Sequence, residues 1–137
     1  LSGANISDPS ISYWQAIYQY NLARQITYIR KAIGLTNWNS LITTPAHPEY
    51  PAAHAFISSA TADALASIFG NIGSFTDHTY DYLGLTPITF NSFHDIALNA
   101  ANSRVFGGIH YQPSCDTGVI YGSKVVKNIL RKLNYSR

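Results

Sequence analysis

Two histidines and two arginines carry the chemistry open to this chain. His54 closes the run Pro51-Ala52-Ala53-His54, His110 follows the pair Ser103-Arg104 at a distance of six residues, and Arg24 lies near the N-terminus. An arginine offers a planar fork of permanent positive charge to tetrahedral oxyanions. A histidine is the side chain most readily poised for proton transfer or metal ligation near neutral pH. An oxyanion site needs cationic donors, free N–H groups at a helix start, and an acid or base beside the reacting oxygen. All three are at hand. Ala52, Ala53 and His54 fall at a predicted helix N-terminus, Arg104 ends another helix, and Gly107-Gly108 presents His110 and lets backbone pass close to a ligand. Taken singly, each residue has a plainer reading: a capping His54, a turn His110, a solvated Arg24. Their combination favours a site.

Helices must position these groups. Asp8-Pro9 reads as an N-cap with proline in the first turn. Tyr13, Ile17, Tyr20, Arg24 and Tyr28 then recur at near-helical spacing to Ile33, with a break expected near Arg24 and a stop at Gly34. Leu35 to Pro51 reads as a loop punctuated by Pro45, Pro48 and Pro51, and it contains His47. Ile57, Ala60, Ala64 and Ile68 mark the buried face of a helix from Ala52 to Phe69, whose alanines permit close helix approach. Asn71 to Thr89 reads as a polar surface loop with one short helical turn. Ser92 and Asp95 resemble a capping box for a helix reaching Arg104. Asp116 or Thr117 is expected to open the last helix, with Val119, Gly122, Val126, Ile129 and Leu133 on its core stripe. No stretch alternates with period two, so the expected class is all-α, a bundle of about four or five helices.

The 137 residues suffice for one domain with its own core. A net charge of +2 with scattered basic residues leaves no footprint for nucleic acid. No apolar run approaches the ~20 residues of a membrane-spanning helix, and the piece reads as soluble. Charged residues are only 12% of the chain while tyrosines number ten, so part of its outside is expected to pack against something else, a second copy or a missing N-terminal segment. The chain has no methionine, which makes Leu1 an improbable translation start and residues 1–137 a single domain from the C-terminal part of something longer. Cys115 stands alone, and neither cysteine pairs nor a Gly-rich loop with lysine points to zinc or a nucleotide.

The segments HPEYPAAHAF and SRVFGGIHYQPSCDTG resemble the superfamily of vanadium-dependent haloperoxidases and type-2 phosphatidic acid phosphatases, in its bacterial haloperoxidase-like branch. Its third motif is matched by Ser103, Arg104 and His110. Its second is matched by Pro51 and His54, with Ala52 and Ala53 in place of serine and glycine. Its first is matched by Arg24 alone, Ile17 falling where the family has lysine and Gln25 where it has proline. The family's orienting aspartate falls at Ser114, with Asp116 two residues later.

The resemblance implies a helical bundle of the haloperoxidase and acid phosphatase type. It implies vanadate, or phosphate in the same pocket, as the bound group, with no heme, zinc or nucleotide. His110 would be the vanadium ligand of a peroxidase or the nucleophile of a phosphatase, and His54 the acid or base. Arg24, Arg104 and the Ala53 N–H would hold the oxygens. His47, seven residues before His54, resembles the histidine of algal bromoperoxidases and would sit on the halide side. The function implied is oxidation of bromide or iodide by peroxide. A phosphomonoesterase with a phosphohistidine intermediate, or a degenerate helical domain, remain the alternatives. A periplasmic or secreted location is implied by the resemblance alone.

Overall fold

An asparagine ends the first helix. In the computed structural model, which describes residues 2–70 and 72–132, α1 (Ser2–Tyr20) closes with Asn21 in the left-handed region at φ 46°, its N–H donating to Ile17 O at 3.0 Å. Asparagine tolerates this conformation better than most residues, which makes it a natural helix stop. The chain then runs extended to Arg24 before the single turn α2 (Gln25–Tyr28), which continues as a π-helical turn, Ile29–Ile33, to Gly34 at φ 85°. The expected break near Arg24 is therefore present. The helix start is not where Asp8-Pro9 placed it, since α1 is already helical from Ser2. The break also redirects the predicted stripe: Tyr13 and Ile17 are buried, whereas Tyr20 and Tyr28 are exposed.

The loop from 35 to 52 is pinned at three points. Ile42 N donates to Gly107 O, Glu49 N to Leu22 O and Ala52 N to Ser114 O. It delivers the chain, through a cis Tyr50–Pro51 bond, to α3 (Ala53–Phe69). Ser92 Oγ accepts the Asp95 N–H at 3.1 Å to open α4 (Phe93–Phe106). Asp95 reaches past the cap to the Asn91 N–H rather than back to Ser92. Between α3 and α4, Phe75–Asp77 (β1) and Ile88–Phe90 (β2) form an antiparallel hairpin around a 3-10 turn, with Phe75 opposite Phe90. The short helical turn was expected; the hairpin was not, because three-residue strands are too short to show alternation. The last helix, α5 (Gln112–Lys132), begins a turn earlier than Asp116, with Pro113 in its first turn, where proline's missing N–H costs no hydrogen bond. Asn71 and Leu133 lie outside the described residues.

The chain is thus a mostly helical bundle with one small hairpin, centred on α3 against α5. Ala52, Ala55, Ala101, Cys115 and Val119 form one buried cluster, and Tyr13, Ile17 and Phe56 another. Gly118 and Gly122 allow the α3–α5 contact. A Cβ built on Gly122 would lie 2.1 Å from Phe56 O, and one on Gly118 2.8 Å from Ala52 O. Ser59 Oγ donates across the same seam to Val119 O at 2.7 Å. Gly122→Ala should therefore force the two backbones apart and destabilise by about 1–3 kcal/mol or more, read as a lower denaturant midpoint with unchanged slope.

Candidate oxyanion site

The segment after α4 turns sharply. Gly108 adopts φ 74°, and buried His110 follows. The glycine pair packs against the long loop. A side chain on Gly107 would meet Ile42 at 2.7 Å, and one on Gly108 would meet Trp38 and Ser40, so the glycines seat the long loop. That loop brings its own polar residues against His110.

The two ring nitrogens of His110 have opposite partners. Nδ1 lies 2.8 Å from Glu49 Oε1, and Nε2 lies 3.1 Å from Arg24 Nη1. Arginine can only donate. Glu49 Oε1 also accepts the Tyr111 N–H at 2.9 Å. One tautomer satisfies both sides: the proton sits on Nδ1 and is given to Glu49, while Nε2 keeps a bare lone pair. Ser114 Oγ completes the carboxylate's bonding by donating to Oε2 at 2.6 Å.

Arg24 is held just as fully. Its Nε donates to His47 O at 2.9 Å, Nη1 to Ile109 O at 2.8 Å, and Nη2 lies 3.1 Å from His47 Nδ1. Burial lowers its pKa from the ordinary value, with the Glu49 charge and then Tyr13 opposing that; the guanidinium stays charged. His47 is half-buried, with its ring edge-on to Trp14 and its Nδ1 3.3 Å from the hydroxyl of buried Tyr13. Desolvation lowers the His47 pKa, the Pro48 carbonyl raises it, and Arg24 and His110 lower it further. Arg24 and His47 also line an open cleft of about 640 Å³ with Leu22, Thr27 and Thr44.

His54 and Arg104 approach from the helix ends. Ala53 and His54 are the first residues of α3, and the N-cap, Ala52, has no side chain to cap their N–H groups. His54 is exposed, yet its ring is partly desolvated, and this with the charges of Arg104, His110 and His47 lowers its pKa. Those three residues therefore lie within electrostatic reach of it. Arg104 Nε donates to Ser103 Oγ at 3.0 Å, and among the described residues no carboxylate pairs with its guanidinium. Arg24, His47 and His110 are thus joined directly, and His54 and Arg104 stand close by.

Three further residues lie outside this group. Ile17 is fully buried with Tyr13 and Phe56 and belongs to the core. Asp116 accepts from Gln112 Nε2 at 2.8 Å on the exposed face of α5 and does not touch His110. Tyr50 packs edge-on to Tyr20, lining a separate cavity with Phe56 and Tyr121. His78 bonds Asp81 at the surface and His94 is exposed. What sequence reasoning missed is Glu49. Its only signal was an acid inside a proline-rich loop of a chain poor in charge.

A family model described as the VCPO second helical-bundle domain matches residues 1–136. The chain belongs to that family. Among solved structures, this VCPO second-domain chain is similar to a bacterial vanadium-dependent iodoperoxidase, with 36% identity over 93% of the chain and a TM-score of 0.84. It also shares its fold with the apo and holo forms of a bacterial vanadium-dependent chloroperoxidase. Identity is 23% to both, over 88% and 90% of this chain, with TM-scores of 0.74 and 0.76. The VCPO-type domain spans only 31–32% of those solved chains. No curated protein matches it. Among the described residues no helix is long and apolar enough to cross a membrane.

Proposed function

We propose that this domain carries the vanadate centre of a haloperoxidase that oxidises iodide or bromide with peroxide. The observation that supports it most is the pair of contacts on the His110 ring, Glu49 at Nδ1 and Arg24 at Nε2, which together favour one tautomer. A bare Nε2 is what bonding to an oxyanion's central atom requires, and it is turned toward a guanidinium rather than a carboxylate. The remaining donors fit the same group: an Arg104 without a carboxylate partner among the described residues, uncapped N–H groups at Ala53 and His54, and Arg24. The site has two arginines but not the family's lysine, since Ile17 faces the core.

Vanadate, when bound, supplies the Lewis-acid activation of peroxide. His110 Nε2 would bond it, while Arg24, Arg104 and the Ala53 N–H would hold its oxygens. His54, its pKa lowered, is neutral at pH 7 and able to take a proton from an incoming hydroperoxide. His47, beside Trp14 at the cleft, would face the halide. Likeness to an iodoperoxidase supports the softer halides. We read residues 1–137 as one domain of a longer protein. Exposed Trp14, Tyr18, Tyr20 and Phe106 would pack against its other parts or a second copy.

The test is incubation with orthovanadate, followed by assays of iodide and bromide oxidation by peroxide and of phosphate ester hydrolysis. Vanadate-dependent halide oxidation is the expected result. Ester hydrolysis inhibited by vanadate, without halide oxidation, would replace it with a phosphatase whose nucleophile is His110. Absence of both activities would leave a degenerate domain.

A further inference from the structure

We infer that Glu49 is the positioning residue of this site: it holds the His110 proton on Nδ1 and thereby keeps Nε2 available to an oxyanion. The inference rests on the reading of His110 as the bonding residue, but its geometry stands apart from any bound group. Glu49 is fully buried, and a buried carboxyl is tolerated only where donors replace water. It has donors from three successive parts of one segment: the His110 ring at 2.8 Å, the Tyr111 N–H at 2.9 Å and the Ser114 hydroxyl at 2.6 Å. Its own N–H donates to Leu22 O at 2.9 Å. The same residue thus ties the loop to the strand-like run that carries Arg24 and to the turn that carries His110.

The Tyr111 and Ser114 donors tie the carboxyl to the fold. The contact to the imidazole does something more. Because Oε1 already accepts a backbone N–H, it can only accept from Nδ1, so the ring cannot present Nδ1 as a lone pair there. Glu49 reaches His110 from a separate loop across 61 residues of sequence, so the orientation of the imidazole depends on how the loop from 35 to 52 is seated.

The test uses full-length protein labelled with nitrogen-15 at histidine, read by NMR, with orthovanadate and inorganic phosphate as separate binding probes. The expected wild-type spectrum has His110 protonated at Nδ1 and bare at Nε2. Glu49→Ala should raise the share of His110 protonated at Nε2, since Arg24 alone then favours the Nδ1 tautomer, and should weaken orthovanadate binding about 10–100-fold. Glu49→Gln, whose amide oxygen can still accept from Nδ1, should keep the tautomer and restore most of the affinity. A wild-type His110 protonated at Nε2 overturns the inference without recourse to any variant. So does a Glu49→Ala protein that keeps both the Nδ1 proton and wild-type affinity. If the wild type binds neither probe, the oxyanion reading fails while the tautomer result still decides the role of Glu49.

Discussion

On the proposed vanadate reading, replacing His110 with asparagine is expected to give a folded protein whose affinity for orthovanadate falls by at least about 10-fold. The asparagine amide nitrogen comes close to the place of the imidazole Nδ1 and can donate to Glu49 Oε1, so the buried carboxyl keeps its partner. Arg24 Nη1 keeps Ile109 O as an acceptor. What disappears is Nε2 and the ring edge that carries it. A direct bond to the central atom contributes more than a charge-assisted hydrogen bond, itself about 1.5–3 kcal/mol. At about 1.4 kcal/mol per tenfold, that sets the floor of the loss. His110→Ala should add a stability defect of about 1–3 kcal/mol over the asparagine variant, because Glu49 is then left short of a donor. Equilibrium binding of orthovanadate and denaturant unfolding separate the two effects. Wild-type affinity in the asparagine variant would remove His110 from the site.

Most of the helical frame was legible because its signals are local. Prolines bound the loop before α3, Gly70 follows that helix, and Ser92 with Asp95 announces α4. Errors arose where a local signal was real but overruled. Asp8-Pro9 is a good helix start, yet α1 is already under way there. Asp116 looked like a helix cap, yet Pro113 already fits a first turn. The stripe through Tyr20 and Tyr28 assumed one helical phase, which Asn21 breaks at φ 46°.

The candidate site divides along the same line. His54, Arg104 and His110 sit in compact motifs whose spacing survives in sequence. The carboxyl partner of His110 does not, because it comes from Glu49 in a loop with no periodicity. A search limited to residues near His110 finds Ser114 and Asp116, and only Ser114 is nearby, as the hydroxyl that holds Glu49. The position of Ile17 also looked like a missing cation when read along the chain. In three dimensions Ile17 is a wall of the core, packed with Tyr13 and Phe56, where an apolar side chain is favoured.

Arg24→Lys, a conservative exchange in charge, is expected to behave as a severe one. Four contacts converge on this guanidinium: His47 O, Ile109 O, His110 Nε2 and His47 Nδ1. An ammonium has donors enough for three but radiates them from one point, and it cannot span acceptors arranged around a planar fork. Ile109 O is buried, and each buried acceptor left without a donor costs about 1–3 kcal/mol. A loss on the order of 3 kcal/mol in unfolding free energy is the expected outcome, and on the proposed vanadate reading orthovanadate binding should weaken too, because the guanidinium N–H left beyond those four contacts is gone. The His110 tautomer should nevertheless persist, since Glu49 still accepts from Nδ1. Arg24 and Glu49 demand the same tautomer from opposite sides of one ring, but they act on different properties. Arg24 supplies charge and holds the carbonyls, whereas Glu49 provides the acceptor that anchors the proton at Nδ1. A lysine variant that kept wild-type stability would show that the fork is dispensable, and one that moved the proton to Nε2 would make Arg24, rather than Glu49, the residue that sets the tautomer.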